Sequence, residues 1–296
     1  PRPLRFDRRM SDSEALMWRL EKDPALRSDF LNVTFLDRPP DFDRFRRRIE
    51  DATIVIPRLR ERVVASPGNL APPEWAPDPS FDIDYHVRKV AVPAPGTDRE
   101  LLDLAAAHLT DAFDRARPLW QFTIVTGLEG GRAAYLSKMH HTITDGVGGV
   151  RMSAMFIDLE RDAPEPERPE PASAGDERPG DLSPLDVVGR AVSFVVGRQM
   201  AMGRRIAADA VRAITHPTEL PQQALGVAEV GRYLARQLLV RDPARSPLWT
   251  GKRSLGRHFE ILSVDLDGLK RAAKGLGGTV NDAYVTVMAH AAGEYH

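Results

Sequence analysis

Helix-like and strand-like patterns alternate along the first part of the chain, and this alternation predicts an α/β fold. Residues 12–22 place their apolar side chains on one side of a helix, whereas residues 30–36 (FLNVTFL) are typical of a strand. A second helix is expected to start within residues 41–49, after an aspartate cap, and residues 100–109 predict a third. With 296 residues, the chain is long enough for one large or two ordinary domains.

Three further strands and a helix are expected around the middle of the chain. Residues 81–87 alternate apolar and polar side chains, which predicts a strand. Residues 121–126 and 133–139 are rich in β-forming side chains, and the turn between them contains three glycines, so we expect a hairpin. Apolar residues recur at close to helical spacing over residues 147–159.

The most informative motif lies at the end of this hairpin, where His140 and His141 are followed by Asp145 and Gly146 (HHxxxDG). Three interpretations compete: a structural pair bonded at a strand end, a zinc site, and a general base that acts on a substrate hydroxyl or amine. Zinc is disfavoured because the chain has no cysteine and the motif lacks HExxH spacing. Successive strand residues also point to opposite faces, so we expect no metal here. The full motif in its strand–turn–helix setting favours the general base.

Several segments carry a family resemblance. HHxxxDG resembles the signature of the chloramphenicol-acetyltransferase-like acyltransferases. Other segments resemble more specifically the bacterial wax ester synthase/diacylglycerol acyltransferase family: residues 10–18 its opening, residues 118–120 its PLW motif, residues 278–282 its ND motif and residues 246–248 the stretch before it. The matches follow the family's order across nearly the whole chain. The resemblance implies a chloramphenicol-acetyltransferase-like architecture of two α/β halves, with the second half truncated here.

The resemblance also assigns roles to the residues of the HHxxxDG motif. It implies that His141 is the catalytic base and that His140, Asp145 and Gly146 support it. Asp145 is expected to be structural and to form its hydrogen bonds with groups other than the imidazole. Gly146 is expected to leave room for acyl-CoA near the base.

Two of the matching motifs have plain structural interpretations as well. By resemblance, Asn281 and Asp282 would support the active-site channel; from the residues alone they read as the N-cap of a helix over residues 283–292. For residues 118–120 we favour the structural interpretation, in which the proline sets the entry to a strand and the tryptophan packs in the core.

The activity that the resemblance implies is transfer of a fatty acyl group from acyl-CoA to diacylglycerol or a long-chain alcohol. A histidine base suits this reaction, since it can deprotonate the attacking hydroxyl and then protonate the CoA thiolate. The chain has neither cysteine nor a GxSxG elbow, so we expect no covalent acyl-enzyme. No cofactor is expected, acyl-CoA being a co-substrate. The alternatives are a condensation-type acyltransferase acting on carrier-bound acyl groups and a non-catalytic lipid-binding protein.

Charge and hydropathy limit the partners and the location. The formal net charge is −1, with 41 basic and 42 acidic residues, so we expect no nucleic-acid partner. No apolar run approaches the ~18 residues of a membrane-spanning helix. We expect a cytoplasmic protein, with the inner membrane face or a lipid droplet as a surface to which it would bind peripherally.

The expected domain organisation has four parts. Residues 1–160 form the acyltransferase half with HHxxxDG, residues 161–184 a linker rich in proline and glutamate, residues 185–245 amphipathic crossover helices, and residues 246–296 the start of a C-terminal half. Residues 185–214 predict one long helix, which is either packed as a crossover or lies on an anionic membrane. We also expect a further C-terminal segment, in the same gene or as a separate chain, to complete the protein.

Overall fold

The computed structural model describes most of the chain and divides it into two compact units. The described residues are 6–144, 149, 152–153, 156–158, 160, 163–164, 167–169, 183–215 and 254–295. The first unit comprises Pro1–Gly203 and Leu255–Phe259, and the second comprises Arg204–Ser254 and Glu260–His296. The domain boundaries expected from the sequence stay predictions.

Strands and helices are mixed along the first unit. Its strands are β1 (Asp29–Leu36), β2 (Glu61–Val64), β3 (Glu74–Pro77), β4 (Val87–Ala91), β5 (Trp120–Thr126) and β6 (Ala133–His140). Its helices are α1 (Asp12–Leu20), α2 (Phe42–Val55), the single turn α3 (Ile83–His86) and α4 (Asp98–Thr110). Helix α5 (Pro184–Thr215) begins in the first unit and ends in the second, which contains α6 (Leu266–Gly275) and α7 (Val280–Tyr295).

A four-stranded mixed sheet of order β1-β6-β5-β4 organises the first unit. Strand β6 pairs antiparallel with β1, with Asp29 opposite His140, and antiparallel with β5, which confirms the predicted hairpin. Strand β4 runs parallel to β5, and β2 and β3 form a separate antiparallel pair. The predicted α/β fold class is confirmed.

Strand β6 is the centre of the core, because all eight of its residues are buried. On one face of the sheet, Tyr135 and Met139 pack with the aromatic residues Trp120 and Phe122 of β5. The other face packs against α4; its cluster includes Leu101, Ala105, Val125, Ala134 and Leu136. Both faces of the strand are therefore covered. Successive side chains point alternately to one packed face and to the other.

Local capping explains where the predicted helices begin. Ser11 and Glu14 form a reciprocal capping box at the start of α1, and Thr97 and Glu100 form another at α4. Asp41 accepts a hydrogen bond from the backbone N–H of Arg44 at the start of α2. These side chains satisfy backbone donors that the first turn of a helix leaves without a partner, so they fix its first residue.

The predicted strand over residues 81–87 is wrong in its first part. Ile83–His86 forms the helical turn α3, and the strand begins only at Val87. The carboxylate of Asp82 accepts a hydrogen bond from the backbone N–H of Asp84 at 2.9 Å, which starts the turn. The local side-chain cap therefore determines the backbone conformation here, although polar and apolar residues alternate.

The helix expected after Asn281 and Asp282 is present as α7, but its cap lies earlier than predicted. Thr279 precedes the helix, and its hydroxyl accepts a hydrogen bond from the Asp282 backbone N–H at 3.3 Å. The Asp282 carboxylate in return accepts the backbone N–H of Thr279 at 2.7 Å. Asn281 and Asp282 are thus in the first turn of α7, with Asp282 as the second member of a capping box.

Two predicted segments fall mainly outside the described residues, namely the helix over residues 147–159 and the linker over residues 161–184. Of the first, Gly149, Met152 and Ser153 are helical. The long helix predicted over residues 185–214 is confirmed as α5. Among the described helices, none has the length and apolar character required to cross a membrane.

The predicted structural role of the tryptophan in residues 118–120 is confirmed by its contacts. Trp120 is fully buried, and its indole N–H donates to the Leu59 carbonyl at 2.8 Å. The His86 ring stacks on Trp120 with 4.4 Å between centroids, and its Nδ1–H donates to the Trp120 carbonyl at 2.8 Å. Burial lowers the pKa of His86 from 6.5 to about 4.

This buried histidine predicts a loss of stability in acid. As the pH falls from 6.5 towards 4, the unfolded chain binds a proton that folded His86 excludes, so the free energy of unfolding decreases by up to about 3 kcal/mol. His86→Gln removes the titration while keeping an N–H donor. Urea unfolding of both proteins between pH 7 and pH 4 should show a smaller decrease for the variant. Equal decreases would contradict the assignment.

Candidate active site

The two histidines of the HHxxxDG motif lie on opposite sides of the end of β6. His140 is the last residue of the strand and is 1% exposed. His141 lies in the following turn and is exposed, and its backbone N–H donates to the Ser28 carbonyl at 3.0 Å. The alternation predicted from the sequence therefore separates one buried imidazole from one that solvent and small molecules can reach.

The buried histidine is bonded through both ring nitrogens. Nδ1 of His140 accepts the backbone N–H of Thr142 at 3.1 Å and lies 2.7 Å from the Thr142 hydroxyl. Nε2 of His140 is hydrogen-bonded to Oε1 of Glu21. A backbone N–H can only donate, so Nδ1 carries no proton and Nε2–H donates to the carboxylate.

Glu21 accepts several of the hydrogen bonds around His140, and its side chain is only 7% exposed. Its Oε1 also accepts a hydrogen bond from the backbone N–H of Ser28 at 3.0 Å, and its Oε2 accepts one from Nη2 of Arg115 at 3.0 Å. Burial raises the pKa of Glu21, but the hydrogen bonds from His140 and Ser28 and the positive charge of Arg115 outweigh that effect and hold the pKa below its usual value. The carboxylate therefore stays ionised and fully hydrogen-bonded.

The exposed histidine rests on an aromatic ring. The centroids of His141 and Phe30 are 4.7 Å apart, with the rings tilted by 43°. Phe30 belongs to β1, so the imidazole is supported from the strand next to β6. Asn32 and Thr34, which follow Phe30 at every second position along β1, are also exposed. His141 can thus meet a substrate that approaches along this face of the sheet.

A cavity of about 740 Å³ lies farther along the same face, a size typical of small-molecule sites. Thr34 borders it, two residues beyond Asn32 on the same face of β1. Its lining is partly apolar and partly charged, with both signs of charge present. The apolar part includes Leu36, Phe45, Ile124, Tyr135 and Phe156, and the charged part consists of Arg38, Arg44 and Arg48 with Asp37, Asp41, Asp158 and Glu160. A ligand with a hydrocarbon part would fit this composition.

Three side chains near the buried histidine are of the type that binds metal ions. Donor atoms of Glu21, Asp29 and His140 lie within 4.8 Å of one another. Both Glu21 oxygens and the His140 Nε2 are already engaged with each other, with Ser28 and with the Arg115 guanidinium. A cation here would compete with these bonds and meet the positive charge of Arg115, so the geometry favours an ion-pair network over a metal site.

The structure locates only part of the predicted site. It describes His140 and His141, whereas Asp145 and Gly146 lie outside the described residues. Asn281 and Asp282 are in the second unit, where both are exposed at the start of α7. The roles assigned to these residues stay predictions.

Sequence reasoning missed Glu21, Ser28, Thr142 and Arg115, which surround the two histidines. Glu21 is 119 residues from His140 along the chain, and no local spacing links the two residues. Only Thr142 stood inside the motif, at one of its unspecified positions. The register that places Asp29 opposite His140 brings the segment after α1 to the histidines.

Comparison with known proteins gives a consistent match. The family described as the wax ester synthase/diacylglycerol acyltransferase catalytic domain matches residues 10–284. A Mycobacterium tuberculosis (strain CDC 1551 / Oshkosh) protein named "Putative diacyglycerol O-acyltransferase" is 40% identical over 296 residues, covering 97% of this chain and 58% of the relative. A second relative of that name from the same strain is 31% identical over 293 residues, covering 97% of this chain and 59% of its own length.

A solved structure agrees at the level of the fold. The wax ester synthase/diacylglycerol acyltransferase from Marinobacter aquaeolei VT8 superposes with a TM-score of 0.55 at 22% identity, over 93% of this chain and 57% of that chain. The chain thus spans somewhat more than half the length of these relatives. With the profile match over residues 10–284 and 40% identity to a relative, the chain belongs to the wax ester synthase/diacylglycerol acyltransferase family.

Proposed function

We propose that the protein is an acyl-CoA-dependent O-acyltransferase whose acceptor is diacylglycerol or a long-chain alcohol. The observation that carries the proposal is the exposed imidazole of His141, held at the end of a buried strand in a chain of this family. A general base needs both access to the substrate and a fixed position. The exposure of His141 gives the substrate access to its imidazole. The backbone hydrogen bond to Ser28 and the contact with Phe30 fix the position of His141.

His141 acts twice in the proposed reaction. Its imidazole takes the proton of the acceptor hydroxyl while the oxygen attacks the thioester carbonyl. The tetrahedral intermediate then collapses, the carbon–sulfur bond breaks, and the imidazolium returns the proton to the departing thiolate. The products are the ester and CoA thiol, so no cofactor and no covalent enzyme intermediate are needed. Such positioned proton transfer is worth about 10²–10⁴-fold in rate.

The other expected parts of the site belong to the same proposal. The cavity bordered by Thr34 would take a hydrocarbon chain against the apolar part of its lining. It lies on the face of the sheet that carries His141. Asp145 would support the turn, and Gly146 would leave room for acyl-CoA. Asn281 and Asp282 would support the channel. A further C-terminal segment, from the same gene or a separate chain, stays a prediction.

Two other functions use the same residues. A condensation-type acyltransferase would need an acyl group bound to a carrier protein, and a lipid-binding protein would bind substrate without turnover. The family match favours the acyl-CoA enzyme over both. Release of CoA thiol from acyl-CoA separates the three, because only the proposed enzyme requires added diacylglycerol or alcohol for this release.

The role of His141 predicts a specific result for His141→Ala in the complete protein that carries this sequence. Acceptor-dependent CoA release should fall by about 10²–10⁴-fold, because the base is lost. The melting temperature should change little, because the side chain is exposed. His258→Ala, at another exposed histidine, provides the control and should keep normal turnover. Near-normal turnover in His141→Ala would exclude the general-base role.

For location, we propose a cytoplasmic protein that also binds an anionic membrane or lipid-droplet surface through α5. One side of this helix packs on the first unit, where Ala191 is buried and Arg9 lies 4.5 Å from the Phe194 ring. The opposite side carries a stripe of exposed apolar residues at helical spacing, defined as Leu185, Val188, Val192, Val196 and Met200. An exposed apolar stripe on a helix rich in arginine is typical of interfacial helices.

Membrane binding through the stripe predicts that Val192→Asp with Val196→Asp releases the protein from phosphatidylglycerol vesicles. Each valine that leaves an apolar environment costs about 1.5 kcal/mol or more, so the vesicle partition coefficient should fall by roughly tenfold or more per residue. The control, Ser193→Asp with Ala201→Asp, adds the same charge outside the stripe. Equal loss in both variants, or no binding by the parent protein in co-sedimentation, would contradict a role for the stripe.

A further inference from the structure

Two hydrogen-bonded paths lead from one carboxylate to the turn that carries His141. We propose that Glu21 is a positioning residue of the active site, which fixes the backbone of His141 through His140 on one side and Ser28 on the other. This inference rests on the proposed role of His141 as the base. Glu21 itself does not touch the substrate in this account; it acts through the two residues that it holds.

The first path runs through the buried imidazole. Oε1 of Glu21 accepts Nε2–H of His140, which leaves Nδ1 of the same ring to accept the backbone N–H of Thr142. The backbone N–H of Ile143 donates to the His140 carbonyl at 2.9 Å and closes the turn. The residues on both sides of His141 are therefore tied to one imidazole. That imidazole can accept from Thr142 only while its proton stays on Nε2.

The second path runs through the backbone of the segment between α1 and β1. The same Oε1 of Glu21 accepts the backbone N–H of Ser28 at 3.0 Å. The carbonyl of Ser28 then accepts the backbone N–H of His141 at 3.0 Å. Because one oxygen atom receives both bonds, a shift of the Glu21 carboxylate would disturb both attachments of the turn together.

Glu21 is itself fixed from the other side. Oε2 accepts the Arg115 guanidinium at 3.0 Å, and that guanidinium lies 4.0 Å from the centre of the Trp18 ring. The neighbouring charged groups are Asp29, whose pKa is raised by burial, and Lys138, whose pKa is lowered by burial. Arg27 is also close and donates to the Thr110 carbonyl at 2.7 Å. The carboxylate thus lies in a dense polar network, where loss of one partner leaves others unsatisfied.

This arrangement predicts which property of Glu21 matters. If its charge alone stabilised the fold, aspartate could replace it. If it positions the turn, the carboxylate must reach both His140 and Ser28, which aspartate is one methylene too short to do. Glutamine keeps the reach and an acceptor oxygen for both bonds but places an amide N–H₂ towards Arg115. Length should therefore matter more than charge.

The test uses Glu21→Ala, Glu21→Asp and Glu21→Gln in the complete protein, with Glu74→Gln as the matched control. Glu74 is a buried carboxylate that pairs with Arg9 and Arg190 and has no bond to either histidine. Acceptor-dependent CoA release gives kcat and KM, thermal unfolding gives stability, and ¹⁵N imidazole spectra report the tautomer of His140. The spectra do not depend on activity.

Glu21→Ala and Glu21→Asp should each lower kcat by about tenfold or more with KM changed less than about twofold, because the base is displaced while the substrate surface remains. In both, His140 should lose its pure Nε2–H tautomer. Glu21→Gln should keep this tautomer and most of kcat. Glu74→Gln should lose stability without loss of kcat.

Several outcomes would overturn the positioning role. One is normal kcat in Glu21→Ala; another is full rescue by aspartate with no rescue by glutamine. An Nδ1–H tautomer of His140 in the parent protein would also exclude it, and this measurement requires no variant to fold. If the parent protein shows no acceptor-dependent CoA release, the proposed function fails, while the spectra still decide whether Glu21 holds His140.

Discussion

The alternation of side chains along a strand that is buried on both faces is the constraint on which the candidate site depends. Strand β6 is covered on both sides, so a residue at its end must point into one packed face or leave the strand. His140 takes the first course and His141 the second. Two adjacent and chemically identical residues thereby acquire different roles: one is an anchor within the protein and the other is available to a substrate.

Burial of His140 in turn requires a partner, because a buried polar ring without hydrogen bonds is costly. Glu21 meets this requirement, and its own burial is offset by Ser28 and Arg115. The polar network therefore follows from the placement of one imidazole, and it extends to the backbone N–H of His141. This explains how an exposed side chain in a turn can hold the fixed position that proton transfer needs, with Phe30 as its support on the open side.

The sequence was informative wherever the determining interactions are local. Capping residues and apolar spacing predicted α1, α2, α4 and α5, and the glycine turn predicted the β5–β6 hairpin. The alternation of side chains along a strand also predicts that the two histidines point to opposite faces. The prediction failed over Ile83–His86, where the Asp82 cap outweighs alternation. It could not find Glu21, because the bond to His140 depends on the β1–β6 register, which joins segments more than one hundred residues apart.

His141 is exposed and is the proposed base over which acyl-CoA would bind, whereas His140 is buried. Carbethoxylation of histidines, located residue by residue by mass spectrometry in the complete protein, tests this proposal most directly. We expect His141 to react much faster than His140, acyl-CoA to protect it, and acyl transfer to be lost at the rate at which His141 is modified. Equal reactivity of the two histidines, or full activity after His141 has reacted, would contradict the account.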